Sequence, residues 1–226
     1  MDNAIGSVIA KLKSEDVSEN TLLFFISDNG GPLAQTADST PLRGGKHQTS
    51  EGGIRVPFLV CWPGKLKADA SQAVVSSLDI LPTALAAAGV AAPTDKPLDG
   101  INLLPSLRGE TPVTARNLYW TCGGDEGCWA IRSGDWKLTA QREKVGLFDL
   151  SNDVSEKNDL AQQRSEKVAE LTMLMDTTLA GMQPPIRGEA KRYGLNRTAT
   201  AKAEKPKSER KKNQLSAPSP ATPAVK

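Results

Sequence analysis

Thr21-Leu22-Leu23-Phe24-Phe25-Ile26-Ser27-Asp28-Asn29-Gly30-Gly31 is an apolar run that stops in a polar, glycine-rich turn. The run is too short for a typical helix and reads as a strand buried on both faces. In open α/β sheets ligands sit outside the carboxyl ends of the strands, where loops diverge, and Asp28 and Asn29 stand at such an end. Their side-chain oxygens are the ligand type that hard cations such as Ca²⁺ and Mg²⁺ take. Ser27-Asp28-Asn29-Gly30 also reads as a plain turn, because Asp, Asn and Gly are common turn residues. The tetrapeptide by itself leaves both readings open.

Upstream, Ala4, Ile5, Val8, Ile9 and Leu12 recur at helical spacing, which predicts an amphipathic helix over residues 3–13 with one buried stripe. Downstream, Val56-Pro57-Phe58-Leu59-Val60-Cys61-Trp62 is a second apolar run closed by Pro63-Gly64. Leu78, Leu81, Leu85 and Ala88 then predict a helix over residues 77–88 that stops at Gly89. Helix, strand, loop, strand, helix is the order of a layered α/β domain, here part of a mixed sheet flanked by helices. Past Pro112 the texture changes to short strand-like pieces at 117–121, 129–132, 136–139 and 146–150, separated by Gly and Asp turns. A helix presenting Val168, Leu171, Met175 and Leu179 on one face follows. The expected organisation is an α/β part over 1–112, a small α+β subdomain over 113–186 and a tail over 187–226.

Residues 41–57 put four glycines and four fixed charges, Arg43, Lys46, Glu51 and Arg55, into one connection. Glycines let backbone approach a ligand closely, and the Lys46 ammonium is a compact charge able to grip an anionic oxygen. Glu51 and Arg55 are placed to pair and hold the loop. A metal-type turn followed by a lysine loop suggests an anionic substrate bridged to a cation.

At 226 residues, 38% of them hydrophobic and 24% charged, the chain has the composition of an ordinary globule. No apolar run approaches the roughly 20 residues needed to cross a bilayer, and no signal peptide is visible at Met1-Asp2-Asn3. The net charge of +2 hides an asymmetry: residues 187–226 carry 11 Lys+Arg against 3 Asp+Glu, and residues 1–186 carry 17 against 23. The basic tail is nearly free of large apolar residues after Leu195, so it is expected to be disordered and solvated. No aromatic is interleaved after Tyr193, and nucleic acid is not an expected partner. Cys61, Cys122 and Cys128 are too few for a disulfide scaffold. Cys122 and Cys128 read either as a pair across Gly123-Gly124-Asp125-Glu126-Gly127, which implies an oxidising compartment, or as free thiols. One His and three scattered Cys give no zinc-ligand spacing.

Six stretches, in order, resemble the type I sulfatases, the arylsulfatase-like branch of the alkaline phosphatase superfamily. They are Ser27-Asp28-Asn29-Gly30; Leu42-Arg43-Gly44-Gly45-Lys46 with Glu51-Gly52-Gly53-Ile54-Arg55-Val56-Pro57; Trp62-Pro63-Gly64; Leu78-Asp79-Ile80-Leu81-Pro82-Thr83; Asp99-Gly100; and residues 130–138 leading to Leu147-Phe148-Asp149-Leu150. The resemblance covers roughly residues 1–183 and corresponds to a carboxyl-terminal half. It implies an alkaline phosphatase-like fold, Asp28 and Asn29 as ligands of Ca²⁺, and Lys46 contacting sulfate and stabilising charge on the departing oxygen. It also implies a sulfate ester substrate, a sulfated glycan or aryl sulfate, and a periplasmic or secreted location. The family's nucleophile is a formylglycine made from the cysteine of Cys-x-Pro-x-Arg; it belongs to an amino-terminal half that this sequence does not contain. Cys61-Trp62-Pro63-Gly64-Lys65 imitates that stretch with Lys in place of Arg, but it follows the lysine loop instead of preceding the metal turn. His47, the only histidine, reads as a loop residue beside the site. Two alternatives stand beside the sulfatase reading: a truncated, non-catalytic protein that engages polyanions, and a related phosphoesterase.

Overall fold

The computed structural model describes residues 1–35, 37–122, 128–141 and 144–182. The expectations for the tail and for the 123–127 loop lie outside these residues. The chain opens with helix α1, Asp2–Ser14, and strand β1, Leu23–Ile26. A long connection then contains the short helix α2, Glu51–Ile54, and leads into strand β2, Phe58–Cys61. β1 and β2 pair antiparallel, with Leu23 opposite Cys61 and Ile26 opposite Phe58. Phe24 and Phe58 meet edge to face with ring centroids 6.2 Å apart.

Two expectations for this region are corrected. β1 is half-buried along its whole length, not enclosed on both faces, because β2 is its only strand partner among the described residues. α1 buries none of its residues. Within its stripe Ala4, Val8 and Ile9 are exposed, Val8 by 56%, and Ile5 and Leu12 are half-buried.

The third helix, α3, runs Ile80–Ala87 behind a single 3-10 turn, Ser77–Asp79. A capping box starts it: the Ser76 hydroxyl accepts from the Leu78 N–H, and the Asp79 carboxylate accepts from the Ser76 N–H at 2.8 Å. Gly89, at φ +67°, ends the helix as its position in the sequence predicts. A one-turn helix, α4, Leu104–Leu107, follows.

Strands β3, Asn117–Cys122; β4, Cys128–Ser133; β5, Trp136–Gln141; and β6, Lys144–Asp149, form an antiparallel meander in that order. Helix α5, Ser165–Ala180, completes this part. Side chains alternate across a strand, so the register sorts the sheet into two faces. Trp129, Ile131, Leu138, Ala140 and Leu147 face α5 and meet Leu171 and Met175, which lie four residues apart on one side of the helix. Ile131, Leu138, Leu147, Leu171 and Met175 are wholly shielded from solvent. The opposite face carries Ala130, Lys137 and Phe148, with Lys137 aligned on Phe148 across β5 and β6. The glycine-rich connection between β1 and β2 covers that second face.

Candidate functional site

Asp28 and Asn29 lie two and three residues past the end of β1, and backbone hydrogen bonds tie their turn to the lysine loop. The Gly30 N–H donates to Gly53 O at 2.9 Å and the Lys46 N–H donates to Gly31 O at 3.0 Å. The lysine loop is closed on itself by the Gly52 N–H donating to Arg43 O at 2.8 Å. Such contact excludes side chains: a Cβ on Gly30 would lie 1.8 Å from Gly52 O, and one on Gly52 would lie 2.1 Å from Gly44 O. Gly30 is therefore demanded by the approach of the two loops, and Gly52 and Gly53 by the tight fold of the lysine loop on itself, where a Cβ on Gly53 would lie 2.1 Å from Gln48 O.

Within the turn, the Asn29 side-chain nitrogen donates to Asp28 Oδ2 at 2.6 Å, and the Ser27 hydroxyl donates to Asn29 O at 2.9 Å. Asp28 and Lys46 are exposed and Asn29 is half-buried. The structure thus bonds the Lys46 backbone to Gly31, two residues past Asn29. His47 follows Lys46 with φ +68° and an exposed side chain. Cys61 is free and exposed. It pairs with Leu23 at the other end of the strand pair from Asp28, and the three steps from Leu23 to Ile26, at a rise of ~3.3 Å, set it about 10 Å back from the end of β1 that leads to Asp28.

Sequence reading paired Glu51 with Arg55 and gave Lys137 and Glu156 no part in holding the loop. Lys137 is completely buried on β5, with Nζ 2.7 Å from Glu51 Oε1 and 3.0 Å from Glu156 Oε1. Glu51 and Glu156 are each only 2% exposed. The Glu51 N–H donates to Glu156 Oε2 at 2.9 Å, and Arg43 Nε lies 3.4 Å from the same oxygen. The Arg43 guanidinium also sits over the Phe148 ring, 4.7 Å from its centroid. The expected Glu51–Arg55 pair is present, at 3.5 Å, but Arg55 is the outer, exposed partner of a carboxylate whose buried partner is Lys137. Neighbouring Arg132 donates from Nε to Gly134 O at 2.8 Å. Burial lowers its guanidinium below its usual value, with Arg55 adding to the effect and Glu51 and Asp135 opposing it. Lys137 lies within the sulfatase-like stretch at residues 130–138; its signal in the sequence is a lysine next to core residues in a period-2 strand.

A second ionic contact secures the other end of this region. Asp79 is fully buried and receives Arg116 Nη1 at 2.6 Å on Oδ1, together with the Ile101 N–H at 2.9 Å. Burial pushes its carboxyl up, but the Arg116 hydrogen bonds and the amides of Ile101 and Ser76 outweigh it and hold the group below its ordinary value. Cys128 is disulfide-bonded, and its register partner across β3 and β4 is Cys122.

Asp28 and Asn29 offer the oxygens a hard cation takes, but only two or three of the 6–8 that Ca²⁺ requires. Among the described residues no group of three or more His, Cys, Asp or Glu gathers at a common point. The two side chains fit part of a cation site, and other groups must complete it.

Residues 1–90 match the sulfatase family model. Over 152 residues the chain is 32% identical to an arylsulfatase of Hemicentrotus pulcherrimus, covering 66% of this chain and 27% of that protein. Over 205 residues it is 32% identical to an N-acetylgalactosamine-6-O-sulfatase of Bacteroides thetaiotaomicron, covering 78% and 40%. The solved structure of BT4656 in complex with its substrate D-glucosamine-2-N,6-O-disulfate superposes with a TM-score of 0.64 at 25% identity, over 79% of this chain and 38% of that one. The chain therefore spans about a quarter to two fifths of the length of these relatives. With the family model, these relatives and the shared alkaline phosphatase-like fold in agreement, the chain belongs to the sulfatase family.

Proposed function

We propose that this chain supplies the lysine-loop side of a site that hydrolyses sulfate esters, with Asp28 and Asn29 as cation ligands and Lys46 as the group that grips the sulfate. The observation that carries the reading is the pair of backbone hydrogen bonds, Gly30 to Gly53 and Lys46 to Gly31, that fastens the Asp28-Asn29 turn against the lysine loop. A bound cation would neutralise charge on the sulfate oxygens. Asp28 and Asn29 orient that charge, and the Lys46 ammonium stabilises the negative charge that builds on the departing oxygen as the S–O bond breaks. The attacking nucleophile and the remaining oxygen ligands come from residues outside this sequence, which holds no Cys-x-Pro-x-Arg stretch. Residues 1–112 belong to the reacting domain in this reading, and 113–186 form the subdomain that supports it.

The substrate class that fits is a sulfated glycan, supported by relatives named for N-acetylgalactosamine 6-O-sulfate and by a neighbour bound to a disulfated glucosamine. The bonded Cys128 supports an oxidising compartment, periplasmic or secreted. The test is turnover of an aryl sulfate. The chain alone gives no hydrolysis above background, and robust turnover by it would overturn the reading. A polypeptide that joins it to an upstream segment carrying Cys-x-Pro-x-Arg or Ser-x-Pro-x-Arg is active, and Lys46→Ala in that polypeptide lowers kcat by about 100-fold.

A further inference from the structure

Between Gly44 and Gly53 the lysine loop contains no apolar side chain, so hydrophobic burial does not fix its position. Lys137 is the cation at its base, shut away from water on the sheet face opposite α5 and shared by two carboxylates. One of these, Glu51, belongs to the loop. The other, Glu156, lies beyond β6 at φ +51° and reaches back to the Glu51 N–H. A buried ion pair is a weak source of net stability, because well-packed apolar groups of the same volume often serve as well. Its particular contribution here is directional: Lys137 accepts Glu51 at one place only.

We propose that Lys137 is a positioning residue of the sulfatase site: by holding Glu51 and Glu156 together it fixes the loop that presents Lys46. The proposal rests on Lys46 being the sulfate-binding group and adds what keeps it in place. The ammonium reaches Glu51 across 86 residues of sequence. Glu51 begins the turn whose next residue, Gly52, donates to Arg43 O and whose third, Gly53, accepts from Gly30. Loss of the Lys137 charge would leave two buried carboxylates facing each other with Arg55 and Arg43, at 3.5 and 3.4 Å, as the remaining counter-charges, and the loop is the part free to lift away.

Hydrogen exchange on the intact chain tests this. Lys137→Met should speed exchange at the amides of Lys46, Glu51 and Gly52 by about 100-fold while those of Ile131 and Leu138 in the β4–β5 ladder change little. Lys137→Arg, which keeps the charge, should restore most of the protection. If Lys137→Met fails to fold, Lys137→Met/Glu156→Gln, which removes one carboxylate with the ammonium, replaces it with the same expectation. Unchanged loop amides, or loop and ladder accelerating together in the double variant, would overturn the proposal. A second arm follows acylation of Lys46 by an activated acetate ester with and without inorganic sulfate. Sulfate should slow the reaction in the native chain and not in Lys137→Met; equal slowing in both would also overturn the positioning role. Native Lys46 indifferent to sulfate would sink the sulfate-binding reading, while the exchange result would still decide the clamp.

Discussion

The two halves of the described chain solve the same problem to different degrees. The β3–β6 meander and α5 bury a continuous apolar layer, with Ile131, Leu138, Leu147, Leu171 and Met175 all shielded. In the β1–β2 pair and α1, by contrast, no side chain of either strand or of the helix is fully buried. One half is finished as it stands; the other presents half-covered surface. The candidate site lies on the less finished half, and two buried ionic contacts, Lys137 with Glu51 and Asp79 with Arg116, fasten that half to the finished one. In the proposed reading, the position of the site is set by the sheet to which these contacts bind it.

The largest effect is expected where one of these fasteners is cut. Asp79→Asn leaves Arg116, only 15% exposed, without its counter-charge, and the loss should be about 3–5 kcal/mol of unfolding free energy by urea titration. The acid response follows from the same carboxylate. Its folded value lies below the ordinary 3.8, so its stabilising contribution is complete above that ordinary value and disappears as pH falls through the lowered one. The difference between native chain and Asp79→Asn should therefore be constant from about pH 7 to about pH 5 and shrink below about pH 4. A difference that grew on acidification would break the assignment.

Next comes the finished core. Leu138→Ala should cost about 2–5 kcal/mol, because the cavity opens between a close-packed sheet and helix. Phe25→Ala on the half-buried β1 should cost clearly less in the same measurement; an equal cost would erase the contrast between the halves. At the junction, Gly30→Ala forces a methyl to within 1.8 Å of Gly52 O. The expected cost is about 1–3 kcal/mol, the range for overpacking, with loss of exchange protection at the amides of residue 30 and Lys46. Protection unchanged in that variant would show that the two loops do not depend on their close approach.

Local pattern carried most of the fold. The period-3.6 stripes anticipated α1, α3 and α5, and the four short runs past Pro112 became β3 to β6 with their ends moved by up to two residues. Those elements are specified by contacts made along one face or to the next strand, which a sequence displays. The loops at 27–31 and 41–57 stood out as a candidate site because glycine and charge coincide there, and the structure bonds the two loops to each other. What stayed hidden are relations across long separations. Glu51 was read with Arg55, four residues on, whereas its buried partner is Lys137, and nothing in periodicity links those positions. Asp79 looked like part of a helix start, and it is, through the capping box; its bond to Arg116 depends on how the chain returns before β3. The burial of β1 was misjudged for a related reason: an apolar run announces that it prefers cover, not which segment provides it.

The smallest effect is the most informative about that missing cover. Val8→Ser and Ile9→Ser change side chains on α1 that are 56% and 37% exposed, and in this chain each should alter stability by no more than about 0.5 kcal/mol. In a longer polypeptide that supplies the rest of the proposed site, the stripe would be covered, and each substitution should then cost about 1.5–3 kcal/mol, the value of burying such a side chain. Comparing the two in one denaturation series separates a helix that is merely amphipathic from one that waits for a partner. Equal, negligible costs in both would mean that α1 faces water in the complete protein as well, and that the incompleteness of the site has no counterpart in this part of the fold.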